Sequence, residues 1–199
     1  MVRLADLLPC GGHALLAEAK SMSYSPDWCV ETIDFPGMET NVSVTVKEAG
    51  EAYHPRIDWF SEGTCAPLRQ IEHLKVEGSS LGPDFSLDLF ESLTTLQLTS
   101  PHAVLPQIFL PLLLPDPRLG MPCPSLREIQ YASFDRHGPY IKELITVIRS
   151  RERAGHRLEL VRVFAAKELG RDDLEKLRKH VGEFYMILDE GEGFVFDPA

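Results

Sequence analysis

Two stretches of sequence decide the fold of this chain: ESLTTLQLTS at residues 91–100 and PSLREIQYAS at residues 124–133. Each contains the pattern L-x-x-L-x-L, in which Ile, Val or Tyr can also occupy the apolar places. The second half of the pattern alternates apolar and polar residues, and successive side chains of a strand point to opposite faces. Leu96 and Leu98 are therefore predicted to point into the protein, and Gln97 away from it.

The same pattern occurs twice more, in IEHLKV at residues 71–76 and in LELVRV at residues 158–163, and a weaker copy, VETIDF, lies at residues 30–35. The four better copies are spaced by 22, 33 and 32 residues. Leucine-rich repeats are about 20–29 residues long, and the longer intervals leave room for a helix in each return. Because one unit cannot bury its apolar face alone, the copies are predicted to stack into one continuous core.

The segments between the strands are predicted to be helical. Residues 138–153 form the clearest case, with Gly155 at the helix end and with apolar residues on one helical face at Ile141, Leu144, Ile145 and Ile148. A second helix is predicted over residues 172–181, because Asp172 and Glu175 have the spacing of a capping box.

Local patterns predict the rest of the chain. Residues 14–20 predict a short helix, and the polar residues 21–27, which include Pro26, predict a loop. The stretch NVSVTV, residues 41–46, alternates strictly and predicts a strand. Near the carboxyl end, FYMIL at residues 184–188 predicts a closing strand.

Alternating strands and helices predict an α/β fold, built as an irregular leucine-rich-repeat arc with parallel strands on its concave face and helices on its outer face. Residues 67–190 are predicted to form this repeat domain. Residues 1–66 predict an atypical amino-terminal cap or a degenerate repeat region, and residues 191–199 a flexible acidic tail.

Four segments of the repeat region carry a family resemblance: CPSLREIQYASF at residues 123–134, VIRSRERAG at 147–155, LELVRVF at 158–164 and DDLEKLRKHV at 172–181. Together they resemble the leucine-rich-repeat region of fungal F-box proteins, over roughly residues 67–190. The resemblance implies the substrate-recognition part of a cullin-type ubiquitin ligase, in which the repeats hold a protein substrate.

The chain departs from that family at the F-box itself, a three-helix motif that often begins with a Leu-Pro pair before acidic helix residues. Here Leu8-Pro9 is followed by Cys10-Gly11-Gly12. Two other functions therefore stay open: a repeat-only scaffold or truncated gene product without a ligase connection, and, less favoured, a small hydrolase. We expect that the chain alone does not bind the ligase adaptor.

Composition argues against several classes of partner. The net charge of −10 repels phosphate backbones, so nucleic acid is not an expected partner. The most apolar stretch, residues 103–114, is too short for a membrane span, which needs about 20 apolar residues, and it is expected to be core. The first 13 residues lack the apolar run of a secretory signal, so a location in the cytoplasm or nucleus is expected. The chain is also expected to be a monomer.

The residues that could carry chemistry form no recognised catalytic pattern. The four cysteines contain no CxxC pair, the seven histidines have no metal-ligand spacing, and GxSxG is absent. Asp135-Arg136-His137 places an acid and a base in a loop without a nucleophile, and RSRERAGHR, residues 149–157, predicts a solvated helix end. We therefore expect no enzyme activity, cofactor or metal, and we expect Trp28 and Trp59 to pack rather than to bind.

The outward positions of the repeat strands are the predicted partner-binding face. If the strands stack in register, these positions form rows of mixed charge; the candidate residues are His73, Lys75, Glu77, Thr95, Gln97, Thr99, Glu128, Gln130 and Arg162. The rows end in Leu160 and Phe164, which Phe194 and Phe196 are predicted to cover. The alternative is a face that is only solvated.

Overall fold

The structure is a computed structural model. It describes residues 2–3, 19–27, 30–35, 42–47, 57–58, 68–77, 86–100, 109–118, 120–133, 141–165 and 168–188. Within these residues the strands are β1 (Val2–Arg3), β2 (Ser21–Asp27), β3 (Val30–Phe35), β4 (Val42–Lys47), β5 (Ile57–Asp58), β6 (His73–Glu77), β7 (Thr95–Ser100), β8 (Glu128–Ser133), β9 (Leu160–Ala165) and β10 (Glu183–Leu188). The helices are α1 (Ile141–Arg153) and α2 (Arg171–His180), with short 3-10 turns at Leu87–Leu89 and Leu110–Leu113.

Eight of the strands form one sheet in the order β10-β9-β8-β7-β6-β2-β3-β4, and β1 and β5 form a separate parallel pair. The six strands from β10 to β2 are all parallel. Strand β3 is antiparallel to β2, and β4 to β3. The predicted α/β class is confirmed.

The apolar places of the repeats form the core of this sheet. Leu74 pairs in register with Leu96, Leu96 with Ile129, and Ile129 with Val161. All four side chains are at most 1% exposed. The other two places of each copy are equally buried, at Ile71, Leu93, Leu126, Leu158, Val76, Leu98, Tyr131 and Val163. The stacked core predicted from the four copies is confirmed.

Strands β6 to β9 each enter the sheet with the same backbone hydrogen bond to the neighbouring strand. Thr94 N–H donates to the Glu72 carbonyl at 2.8 Å, Arg127 N–H to Thr94 at 2.9 Å, Glu159 N–H to Arg127 at 2.8 Å, and Glu72 N–H to Lys20 at 2.7 Å. At β10 the corresponding bond is shifted by one residue, because Glu183 N–H donates to Glu159 at 2.7 Å. Six strands therefore start at the same level of the sheet, which holds their apolar residues in register.

Strand β2 corrects two predictions. Residues 21–27 are not a loop, because β2 pairs in parallel with β6 and places Met22 beside Leu74. Met22 is only 1% exposed, so this polar segment supplies one apolar side chain to the core. The weak copy at residues 30–35 is not a repeat strand, because β3 pairs antiparallel with β2. The strand predicted at residues 41–46 is confirmed as β4.

Helix α1 matches its predicted apolar face, with Ile141, Leu144, Ile145 and Ile148 buried. It ends where Gly155 adopts a φ of +84°, a left-handed conformation that glycine takes without steric cost. Helix α2 begins at Arg171 after Gly170, so Asp172 is not its cap and the predicted capping box is wrong. Asp172 instead adds negative charge to the first turn, which the helix dipole favours.

Short 3-10 turns lie in the returns before and after β7, within the residues that the structure describes. One turn, Leu87–Leu89, precedes β7, and the other, Leu110–Leu113, follows it in one of the longer returns, where a full helix was predicted. Leu110 and Leu113 are buried, which confirms the core prediction for this part of residues 103–114. The described part of the chain contains no helix long and apolar enough to cross a membrane.

Candidate binding face of the parallel sheet

The sheet register brings the nine predicted residues together on one face, which we call the polar face. His73 pairs with Thr95 and Thr95 with Glu128, which forms the first row. The second row consists of Lys75, Gln97, Gln130 and Arg162. The third row begins with Glu77 and Thr99.

The polar face results from strand alternation alone. In β6 the side chains of Leu74 and Val76 are buried, whereas His73 is exposed and Lys75 and Glu77 are partly exposed. Strand β9 repeats the alternation over its whole length. Polar residues two apart on one strand point to the same face. Because neighbouring strands are in register, these residues line up in adjacent rows across the four strands.

A hydrogen-bonded cluster joins β8 to β9 on this face. Arg162 Nη1 donates to Glu128 Oε1 at 2.6 Å, and Gln130 Nε2 donates to the same oxygen at 2.9 Å. The two charged side chains are 38% and 22% exposed, for Arg162 and Glu128, so the ion pair is partly shielded from water. The cluster holds the guanidinium in place and leaves part of it open to a partner.

The β6 and β7 part of the face is organised differently. Lys75 Nζ lies 2.9 Å from Glu77 Oε2, and both side chains are more than a third exposed. Beside them, Gln97 Nε2 and Thr99 Oγ1 are shielded from water and have no hydrogen-bond partner among the described residues. A shielded donor without an acceptor costs folding free energy, so an added hydrogen bond at this position would be stabilising.

The face also contains residues that the sequence analysis missed. On one side β2 adds Ser21 and Ser23, and on the other β10 adds Glu183 and Tyr185, all in register with the first two rows. A signal for β10 was present, since Val181-x-x-Phe184-x-Met186 matches the repeat pattern when Phe and Met are allowed.

The third row of the face is apolar from β8 to β10. Ala132, Phe164 and Ile187 continue the third row, and Ile187 is 41% exposed. Tyr185 Oη donates to Glu183 Oε2 at 3.0 Å. This hydrogen bond, followed by the charge of Glu183, raises the pKa of Tyr185. The third row therefore changes from charged at β6 to apolar at β10.

A buried arginine overturns the prediction of a solvated end for α1. Arg151 is fully buried, and its guanidinium donates to the carbonyls of Pro122 at 2.9 Å and Cys123 at 2.8 Å. Burial lowers the pKa of Arg151. Arg149 and Arg153 are exposed, as predicted. Arg151 thus ties the end of α1 to the loop that leads into β8.

Cys123 belongs to the same buried cluster. It adopts a φ of +46°, and its Sγ donates to the Leu87 carbonyl at 3.4 Å. Burial raises the pKa of this free thiol to about 12, so it stays protonated and unreactive at neutral pH. The cluster of Arg151 and Cys123 is therefore structural, and it lies away from the polar face.

Several predicted features fall outside the described residues: Leu8-Pro9 to Gly12, residues 14–18, Trp28, Trp59, the Asp135–His137 loop, the tail 191–199, and the cover by Phe194 and Phe196. Within the described residues, no group of three or more His, Cys, Asp or Glu side chains is arranged to hold a metal ion. Comparison of the chain with protein-family models, curated proteins and solved structures finds no match. Its function is therefore argued from the geometry of the polar face.

Proposed function

We propose that this chain is a protein-binding module of the leucine-rich-repeat kind, and that its partner lies across the polar face. In this proposal the parallel strands line the concave face of an irregular arc, and α1 and α2 lie on its outer face. The module binds rather than catalyses, in the cytoplasm or nucleus, without a cofactor or metal.

The observation that carries the proposal is the straight alignment of the nine polar residues across β6 to β9. Packing does not require polar residues there, since the opposite side chains of the same strands already form the core. The equivalent hydrogen bond at the start of β6, β7, β8 and β9 supports stacked repeat units. Leu144, Ile148 and Leu177 of the two helices belong to the same core as the strands, which supports an outer helical layer.

The partner is proposed to be a protein that carries acidic and hydrogen-bonding groups. Lys75 and Arg162 each supply a partly exposed cation, at opposite ends of the second row. The amide of Gln130 lies between them, and the amide N–H that does not bond to Glu128 can donate to a backbone carbonyl of a partner. A short peptide segment that contains a carboxylate fits this order of groups.

Charge reversal on the face tests the proposal. We expect the double variant Lys75→Glu, Arg162→Glu to lose partners that co-purify with the wild-type chain, measured by quantitative mass spectrometry. The control is Arg69→Glu, Arg127→Glu, which changes the net charge equally at two exposed positions outside the three rows. If the folded double variant keeps every wild-type partner, the proposal fails.

The resemblance to F-box proteins extends the proposal to substrate recognition for a ubiquitin ligase. The second candidate, a scaffold without a ligase connection, is favoured by the sequence Leu8-Pro9-Cys10-Gly11-Gly12 in place of an F-box. Calorimetry with the purified ligase adaptor distinguishes the two: we expect no submicromolar binding by this chain alone. Submicromolar binding would contradict that expectation and favour direct ligase engagement.

A further inference from the structure

Strand β10 lies at the end of the parallel sheet, and its outer edge pairs with no strand among the described residues. Glu183 N–H donates to the Glu159 carbonyl, so the backbone of Glu183 faces β9. Backbone groups of successive strand residues face opposite sides, so those of Phe184, Met186 and Leu188 face away from β9. These outward groups form a row of hydrogen-bond donors and acceptors with which another extended strand can pair.

The side chains of this strand leave its edge unprotected. Edge strands usually carry lysine, proline or inward charges that prevent further pairing. In β10 the five residues after Glu183 are all uncharged and contain neither Pro nor Gly. Tyr185, Ile187 and Leu188 are 50%, 41% and 46% exposed, so the edge presents apolar surface on both faces of the sheet.

The strand is complementary to a second copy of itself. In an antiparallel pair centred on Tyr185, Phe184 lies opposite Met186 of the second copy, and Glu183 lies opposite Ile187 of the second copy. Aromatic and apolar cross-strand pairs stabilise such a pairing, whereas like charges directly opposite destabilise it. In this register no two acidic residues of β10 meet.

We propose that β10 pairs antiparallel with β10 of a second copy, with Tyr185 of both copies at the two-fold axis. The dimer joins the two parallel sheets into one and satisfies the outward backbone groups of both edges. Because Tyr185 and Ile187 lie on the polar face, the face of one copy continues onto the other. This inference goes beyond the proposed function, does not depend on it, and replaces the expectation of a monomer.

Charge substitutions at the axis provide the test. The full chain is studied by analytical ultracentrifugation over a range of concentrations and at low and high salt. We expect the wild type to reach twice its mass of 22.3 kDa, and more readily at high salt, because salt screens the repulsion between two chains of net charge −10. A wild type that stays monomeric at every concentration overturns the proposal.

Two variants locate the axis. Tyr185→Lys and Tyr185→Glu each place like charges opposite one another, and each is expected to weaken dimerisation about tenfold or more. Mixing the two variants places Lys opposite Glu and is expected to restore the dimer. Tyr185 is half exposed, so neither change should unfold the chain, and circular dichroism checks this.

Leu112→Lys is the matched control, because Leu112 is an exposed apolar residue on the 3-10 turn at Leu110–Leu113, away from β10. It is expected to dimerise as the wild type does. If the Tyr185 variants dimerise as well as this control, or if their mixture does not restore the dimer, the proposed pairing is wrong. Failure of the partner test on Lys75 and Arg162 leaves these outcomes unchanged.

Discussion

The two faces of the parallel sheet are made by the same strands, yet they differ in how strongly their residues are constrained. On the buried face, the four positions from Leu74 to Val161 are all aliphatic and almost fully excluded from water. On the polar face, one position away, the second row runs through Lys75, Gln97, Gln130 and Arg162. Burial restricts the buried face to one class of residue, while the polar face carries both charged and amide side chains.

The largest expected effect is on the buried face. Leu96→Ala removes a fully buried side chain from the middle of the core and should lower the free energy of unfolding by about 2–5 kcal/mol, measured by urea denaturation. The adjacent Gln97→Ala, on the polar face, should change it by less than about 1 kcal/mol. Equal losses for the two variants would remove the distinction between the faces.

Arg151 is the one charged side chain in the core of the described residues. Its substitution tests whether the core depends on this side chain. Arg151→Ala leaves the carbonyls of Pro122 and Cys123 without their donor and should cost about 2–4 kcal/mol. Arg153→Ala, at an exposed position of the same helix, should cost less than about 0.5 kcal/mol. Thermal and urea unfolding of both variants provide the comparison, and a neutral Arg151→Ala would contradict a structural role.

Cys123 makes the buried side sensitive to alkaline pH. In the folded state its pKa is raised from 9.0 to about 12, whereas the unfolded thiol ionises near its ordinary value. The contribution is therefore complete below pH 9 and is lost as pH rises from 9 towards 12, by about 1.4 kcal/mol per pH unit. Urea denaturation against pH should show this slope in the wild type and a smaller one in Cys123→Ala. Parallel slopes for the two proteins would contradict it.

The smallest effect is expected on the polar face. A double-mutant cycle on Glu128 and Arg162, with Gln and Met as replacements, should give a coupling free energy of about 1 kcal/mol or less, since the pair is only partly shielded. The control pair, Arg127 and Glu159, is 66% exposed on both sides and should couple less. A coupling free energy as large as the loss of unfolding free energy in Leu96→Ala would mean that this ion pair of the polar face serves mainly to stabilise the fold.

The sequence predicted most of the repeat core because its signal is local. Leu96 and Ile129 are recognisable as inward-pointing strand residues from the residues next to them in the sequence. The constant spacing within each copy of the pattern is enough to align the two. Strand β2 was not predicted, because Met22 and Tyr24 are the only large apolar side chains of residues 21–27. The strand beside which Met22 packs, β6, lies about fifty residues later in the chain. Strand β10 was predicted as a closing strand, but its place in the rows was not recognised.

The nine candidate residues of the polar face were also predictable, because side-chain alternation and the copy spacing fix which positions share a face. Their hydrogen bonds were not. Arg162 and Gln130 both donate to Glu128, and the Gln97 side-chain nitrogen has no acceptor among the described residues. These contacts depend on side-chain torsions and on the distances between strands. No pattern within one strand contains that information.

The sequence by itself determined the period, the inward residues and the order of the repeat strands, because these follow from hydrophobic alternation along the chain. Only the tertiary structure decided that Arg151 is buried rather than solvated, since its partners, Pro122 and Cys123, lie about thirty residues earlier in the chain. It likewise decided that β10 is the last strand of the sheet among the described residues. Both are contacts between segments distant in sequence, and such contacts exist only after the whole chain has packed.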